Sequence, residues 1–463
     1  MIHWALLLKP LNKLHIAGMS AALAEQVAKS IGRLEAVDSL ATNGCFTLRE
    51  NASHVVTLGV PSVGLEAQQR IIGIRIIQWP RRAFELKRIS VLSSRLGKKL
   101  DQQTRWFDAF RTLCCRVYSD ESVFVTADGT TADRFVVRAS ELFQIDSFRL
   151  VECDDIQIDS DPTSDHEIRV SKPIVQCDEP TTPLADRMLA VLARTAYCLD
   201  ARASGNTHKS VSSVLRGGFW PMQVMVPNTA PCSQQLVNEG AFSWILLPPD
   251  EVEESPQPSN VRKHIPTAPP CDNYLVHWTR RRDGPWPGET DEEYLDQLIL
   301  GVETKDRSAF ATLCRIVSDQ RIVASSHLIR DGHEVVCFSD ITLEQLAGRR
   351  VYRKHLRRWD YEPYGVAVRR DVLEKHGARP VIYGGDEDFE HLGPGDKPFF
   401  QMRSTGDGET QWTEESEWRI KGSVLLRDQP PGDAFVFVPS EAEAAALSQF
   451  CSWPVVVVPS GSD

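Results

Sequence analysis

The stretch "LKRISVLSSRLGKKLDQQTRWFDAFRTLCCRVYSDESVFVTADGTTADRFVVRASELF", residues 86–143, decides the fold. "LKRISVLSS" is a short apolar run and reads as a buried strand. "KKLDQQTRWFDAFRTLCCRVY" has helical spacing, with Leu100, Phe107, Phe110, Leu113 and Cys114 on one face. "SVFVTA" is a second strand and "ADRFVVRASELFQI" a second helix. The alternation continues downstream. "SFRLVEC" is a strand, residues 154–168 are acidic and polar, and "PLADRMLAVLARTA" is a helix. "AYCLDA" (strand), "GNTHKSVSSVLR" (helix) and "FSWILLPP" (strand) complete the series. Alternating helices and buried-looking strands predict an α/β, Rossmann-like, doubly wound parallel sheet.

The chain has 463 residues, too many for one ordinary domain. Residues 1–82 form a poorly defined α/β segment. It contains a helical pattern over 19–37 and strand-like "HVVTLGV" and "IIGIRIIQW", with Pro80-Arg81-Arg82 as a joint. The Rossmann-like domain spans 83–248. Residues 249–272, rich in Pro, Ser and Glu, read as a linker. In 273–463 short strands ("YLVHWT", "VVCFSD", "YGVAVR", "PVIYGG", "AFVFVP", "PVVVVP") mix with helices ("DEEYLDQLIL", "AFATLCRIVSD"), predicting a separate α+β domain.

Composition narrows the function. A net charge of −11 argues against nucleic-acid binding driven by overall charge. One local exception is "GRRVYRKHLRRW", 348–359, either a solvated helix face or a groove for an anionic substrate. No apolar run is long enough to span a bilayer. "MIHWALLLKP" shows no basic leader, and the eleven cysteines include no C-x-x-C pair, so the reading is a cytoplasmic protein with reduced thiols and no metal.

Three polar loops follow strands and precede helices: Ser93-Ser94-Arg95-Leu96-Gly97, Asp128-Gly129-Thr130-Thr131 and Ser204-Gly205-Asn206-Thr207-His208. In a doubly wound sheet ligands bind beyond the carboxyl ends of the strands, where helix N-termini attract phosphate. Ser94, Arg95, Gly97, Asp128, Gly129, Thr130, Thr131, Gly205, Asn206 and Thr207 are therefore candidate nucleotide-binding residues. Ser, Thr, Asp and Asn are also ordinary N-caps, so each loop alone carries little. No Walker motif or Gly-x-Gly-x-x-Gly is present.

"VLSSRLG", "TADGTTADRF" and "ASGNTHK" resemble the loops of the SLOG superfamily, the Rossmann-like domains related to DprA and to the LOG proteins. The resemblance covers roughly 86–248 and implies a nucleotide sensor. The Pro-Gly-Gly-x-Gly-Thr motif of LOG phosphoribohydrolases is missing, which favours binding over hydrolysis.

In the second domain, His277 and Thr279 come early, Tyr361 and Tyr364 in the middle, and Glu414, Glu415 and Glu417 late. This order resembles ADP-ribosyltransferase folds, including the DarT toxins. "VVCFSD", "YEPYGVAVRR", "GARPVIYGG" and "ESEWRI" resemble abortive-infection proteins of the AbiGi type. The resemblance implies His277, Tyr364 and Glu417 as catalytic residues acting on NAD, with Thr279, Ser339, Arg353 and Arg357 as substrate or phosphate contacts. His277 also fits a core histidine, and Glu417 with Arg419 a surface pair.

Together these readings give an anti-phage defence protein: a SLOG-like sensor of a nucleotide joined to an ADP-ribosyltransferase or NAD glycohydrolase. NAD or another nucleotide is the small-molecule partner. A protein or nucleic-acid acceptor and a homo-oligomer are compatible with it, and a membrane is not. The alternatives are a non-enzymatic nucleotide-binding regulator or antitoxin, and a DprA-like DNA-handling protein.

Overall fold

The computed structural model describes residues 45–246, 273–403 and 416–458, except 62, 64, 155, 157–163, 175, 178–181, 218–222, 327–328, 344, 346–351, 354–357, 360, 428 and 431. The helix expected over 19–37 and the linker expected over 249–272 lie outside the described residues. The chain divides into two compact units. The first is Met1–Glu251 with Thr290–Lys305, and the second is Val252–Glu289 with Asp306–Asp463.

The first unit is built on one ten-stranded sheet. Its strands are β1 (Phe46–Glu50), β2 (His54–Leu58), β3 (Ile76–Pro80), β4 (Arg88–Ser93), β5 (Val123–Ala127), β6 (Ser147–Cys153), β7 (Glu167–Ser171), β8 (Thr195–Asp200), β9 (Gln223–Pro227) and β10 (Phe242–Trp244). They lie in the order β1-β2-β3-β7-β6-β5-β4-β8-β9-β10. From β7 to β10 all neighbours are parallel, while β1, β2 and β3 extend the β7 edge antiparallel. The chain runs outward from β4 to β7, then returns to lay β8 on the other side of β4. That reversal is the topological switch point of a doubly wound sheet.

The helices are α1 (Leu65–Ile72), α2 (Arg81–Glu85), α3 (Thr104–Ser119), α4 (Asp133–Phe143), α5 (Leu184–Leu192), α6 (Asn206–Arg216), α7 (Ser233–Asn238) and α8 (Asp291–Leu300). Strand alternation sends Ile89, Val91 and Phe124 to one face, where Phe107, Phe110, Phe135, Leu298 and Ile299 of α3, α4 and α8 cover them. Leu92, Val123 and Val125 point to the other face, under Met188, Val211 and Leu236 of α5, α6 and α7. Covering both faces explains the nearly continuous apolar strands.

Three features differ from the sequence reading. Residues 46–80, read as either a small α/β unit or the front of the next domain, join the main sheet: β3 hydrogen-bonds to β7, so β1, β2 and β3 extend it. The helix expected from Lys98 begins at Thr104, after a short 3-10 turn over Leu100–Gln102. α8, read from sequence as part of the second domain, packs in the first unit. Its Asp296 takes a two-pronged hydrogen bond from Arg138 of α4 (2.6 and 2.8 Å), and its Ile299 carbonyl accepts from Arg111 Nε of α3 (2.8 Å).

The second unit carries a seven-stranded sheet: β11 (Tyr274–Trp278), β12 (Val335–Ser339), β13 (Gly365–Arg369), β14 (Arg379–Pro380), β15 (Glu417–Lys421), β16 (Ala434–Val438) and β17 (Val455–Val457). Their order is β14-β15-β12-β11-β13-β16-β17, antiparallel throughout except β16 with β17. Helices α9 (Ala309–Asp319) and α12 (Glu441–Leu447) bury Leu313, Val317 and Leu447 on one face. Trp278, Tyr361, Phe435 and Phe437 cluster on the other. Two shorter helices, α10 (Arg370–Lys375) and α11 (Asp386–His391), and several strands of two or three residues, among them Tyr352–Arg353, also belong to this unit. No helix among the described residues is long and apolar enough to cross a membrane.

Candidate functional site

The carboxyl ends of β5, β4 and β8 lie side by side, so the three loops singled out in the sequence share one edge of the sheet. The β4 and β8 loops are stitched together. The Ser94 N–H donates to the Asp200 carbonyl (2.9 Å), and Ser94 Oγ accepts the Arg202 N–H (2.9 Å). Arg202 Nη2 donates to the Arg95 carbonyl (2.6 Å). Beneath them, Trp106 Nε1 of α3 donates to Ser93 Oγ (3.0 Å), which itself donates to the Ser94 carbonyl (2.9 Å). These bonds spend the Ser93 and Ser94 hydroxyls on holding the loop.

The loop after β8 then turns into α6. Ser204 adopts a left-handed conformation (φ 60°), and the Gly205 N–H donates to the Arg202 carbonyl (2.9 Å). Gly205 is the N-cap of α6, and a Cβ there would sit 3.0 Å from the Arg202 carbonyl oxygen. A glycine N-cap supplies no side-chain acceptor, so no side chain caps the first turn of α6. Around this helix start, Arg95, Lys98, Arg202, Asn206 and Lys209 are exposed. An uncapped helix N-terminus with basic residues on its own first turn and on the adjoining loops is suited to an anion. Burial raises the Asp200 carboxyl above its usual range, opposed by nearby Arg202. Thr207 is buried within the helix, and Gly97 (φ 85°) bends the loop leaving β4.

The Asp128-Gly129-Thr130-Thr131 loop is a self-closed turn. Gly129 supplies the positive φ (75°), and Thr130 donates to the Ala127 carbonyl through both its N–H (3.3 Å) and its hydroxyl (2.8 Å). Asp128 and Gly129 are exposed and Thr131 is half-buried. At the start of α4, Asp133 accepts from Thr126 Oγ1 (2.8 Å) and lies 3.6 Å from Arg149. The Thr130 hydroxyl expected to face a ligand instead closes the turn.

In the second unit the residues expected to act together are divided by the pleat. On β12, Ser339 pairs with Glu417 of β15 and with Val276 of β11, placing those three on one face. His277, next to Val276, points to the other face, where its ring meets Phe338 edge-on at 5.8 Å. His277 Nδ1 lies 2.9 Å from the Cys337 carbonyl, and burial, reinforced by Arg280, lowers its pKa. The Tyr364 hydroxyl donates to Glu443 of α12 (2.8 Å), with Phe310 of α9 alongside. Thr279 is buried and donates to the Ala309 carbonyl (3.0 Å).

Glu417 faces Arg419, two residues along the same strand. Arg419 Nε donates to Glu417 Oε1 (2.9 Å), while its other nitrogens reach the Phe400 carbonyl (2.7 Å) and Gln401 Oε1 (2.6 Å). Arg419 is fully buried, so this is an ion pair inside the fold rather than on its surface. Cys337 is solvent-accessible, yet the packed sheet around it and the Glu417 carboxylate push its thiol up to about 12. The structure thus does not bring His277, Tyr364 and Glu417 into one constellation. Ser339 is buried in β12. Arg353 lies on a two-residue strand, Tyr352–Arg353; Arg357, Glu414 and Glu415 are outside the described residues.

Sequence reasoning missed Arg202, Asp200 and Lys209, which shape the β8–α6 loop. The available signal was a basic residue within "YCLDARASGN". Among the described residues there is no group of three or more side chains able to hold a metal ion.

The edge at β4 and β8 defines the first unit as Rossmann-like and mostly parallel, with its loops at the switch point. No family model and no curated protein matches the chain. Among solved structures, the chain is similar to DNA processing protein A from Helicobacter pylori, described for its single-stranded DNA binding mode. The identity is 13%, over 41% of this chain and 90% of that one, with a TM-score of 0.27. It is also similar to DprA from Streptococcus pneumoniae, at 12% identity over 37% of this chain and 62% of that one, with a TM-score of 0.25.

Proposed function

We propose that this protein is a nucleotide-binding regulator whose ligand's phosphate sits at the β4–β8 switch point. The observation that supports it most is the uncapped N-terminus of α6, whose preceding loop is tied through Arg202 to Ser94 and Arg95. The peptide N–H groups and the guanidinium of Arg95 would receive the phosphate. Binding is favoured over catalysis because the hydroxyls of Ser93, Ser94 and Thr130 are engaged in the loops themselves. In the second unit the geometry lends the NAD-transferase reading no support, with Glu417 held by buried Arg419 on the face opposite His277.

The test is calorimetric titration with ATP, NAD, ADP-ribose and an oligo(dT) strand. At least one of the three nucleotides should bind. Arg95→Ala should weaken it about tenfold or more, the value of one charge-assisted contact. Gly205→Val should also weaken it, by crowding the Arg202 carbonyl. Binding of oligo(dT) alone, falling steeply with salt, would replace the nucleotide with a polyanion. No binding by any of the four overturns the assignment.

A further inference from the structure

Six cations stand on the sheet edge that carries the switch point. Arg95, Lys98, Lys99 and Arg105 follow β4 on the way into α3, and Arg202 and Lys209 follow β8 on the way into α6. All but Lys99 are exposed. Among the described residues no carboxylate pairs with any of the six. Elsewhere in this unit arginines find partners: Arg81 reaches Glu50, Arg138 reaches Asp296, and Arg149 lies by Asp133. The stretches after β4, β5 and β8 hold three carboxylates, Asp101, Asp128 and Asp200, so positive charge is in excess there in a chain of net charge −11.

Two of these cations also work against the fold. Arg105 is the second residue of α3 and Lys209 the fourth of α6, and neither helix has an acid in its first turn. A cation there opposes the helix dipole. The usual arrangement is seen in α4, α5 and α8, with Asp133, Asp186 and Asp291 in that turn. The start of α3 belongs to the edge itself, because Trp106 Nε1, next to Arg105, donates to Ser93 Oγ at the end of β4 (3.0 Å). The first turn of α6 also holds buried His208, whose Nε2 has no hydrogen-bond partner. Unpaired charge set against a local dipole is a cost that a bound anion removes.

We propose that the ligand is a nucleoside carrying a chain of phosphates, with Lys98, Lys99 and Arg105 holding the far end of that chain. The proposal rests on the nucleotide reading. One phosphate at the start of α6 is matched by Arg95, Arg202 and Lys209, which leaves the other three cations unmatched. Helices α3 and α6 rise from neighbouring strands onto opposite faces of the sheet, so the phosphate chain crosses the switch point from one helix start to the other. NAD and ADP-ribose fit less well. Their phosphates are enclosed between two sugars, and the nicotinamide of NAD is itself a cation.

The experiment is calorimetric titration of the full chain with AMP, ADP, ATP, ADP-ribose and inorganic tripolyphosphate. Affinity should rise about tenfold or more from AMP to ATP, the value of one charge-assisted contact, and ADP-ribose should bind no tighter than ADP. Lys98→Gln and Arg105→Gln should each weaken ATP about tenfold and leave AMP unchanged. Tripolyphosphate, lacking the nucleoside, should bind more weakly than ATP. Arg105→Glu should abolish the preference for ATP and raise the melting midpoint of the unliganded protein, because an acid in the first turn suits the dipole. AMP binding as tightly as ATP overturns the proposal and leaves the nucleotide reading standing. A lowered midpoint for Arg105→Glu overturns it as well, since the cation would then be structural. Tripolyphosphate binding as tightly as ATP does the same, since the nucleoside would contribute nothing. No binding by any of the five removes both the proposal and the nucleotide reading.

Discussion

At the residue scale, Glu417 shows how one side chain can carry two opposite readings. In sequence it neighbours Trp418 and Arg419, which fits either a surface pair or a catalytic carboxylate. In the fold it is the counter-charge of a guanidinium that solvent does not reach. Glu417→Gln should therefore lower stability by about 3 kcal/mol or more in urea unfolding, because Arg419 would keep a buried charge without its anion. An unchanged unfolding midpoint would return Glu417 to the candidates for chemistry. His277 gives a pH signature. Its folded pKa lies below its unfolded value of about 6.5, so the unfolded chain binds the proton more readily. Its contribution is complete above pH 6.5 and is lost as pH falls below it, by at most about 1.4 kcal/mol per pH unit. His277→Gln should flatten this part of the stability profile between pH 7 and 5. Equal slopes for the two proteins would mean that His277 titrates as in the unfolded chain.

At the element scale, α8 is the most instructive case. Its sequence, "DEEYLDQLIL", announces the helix well. Thr290 and Glu293 form a reciprocal capping box, and Gly301 ends the helix with a left-handed φ of 74°. Thr290→Ala removes one half of the box and should cost about 1 kcal/mol, read as a lowered midpoint for the first unit. Gly301→Ala meets both backbone strain and the Arg111 guanidinium that packs against that glycine. It should destabilise by about 1 kcal/mol or more, mainly through the lost left-handed freedom. Helix periodicity was sufficient to find α8. Its location was not legible, because the apolar face of Tyr294, Leu298 and Ile299 carries no label naming its partner. β7 and β9 were missed for a different reason. "EIRVS" alternates, but over only five residues behind an acidic stretch, and "QVMVP" is equally short, so neither stands out from its surroundings.

At the scale of the whole molecule, the sequence places the break between parts at 249–272, while the first unit also includes Thr290–Lys305. Cleavage within 249–272 should therefore yield two fragments that co-elute in size exclusion, because α8 of the C-terminal fragment stays in its seat on α3 and α4. A fragment ending at residue 251 should aggregate, since the apolar surface that Leu298 and Ile299 cover would be exposed. Clean separation into two soluble fragments would show that α8 is dispensable. By itself the sequence determined the alternating elements, the doubly wound class and the loops at the ends of β4, β5 and β8, because hydrophobic period and turn chemistry are local properties. Only the tertiary structure decided which of those loops are tied together, that β1, β2 and β3 extend the same sheet, and that His277 and Glu417 occupy opposite faces. Those outcomes depend on strand order and register: a shift of one residue reverses every side chain on a strand, and no local pattern encodes which strand will lie beside it.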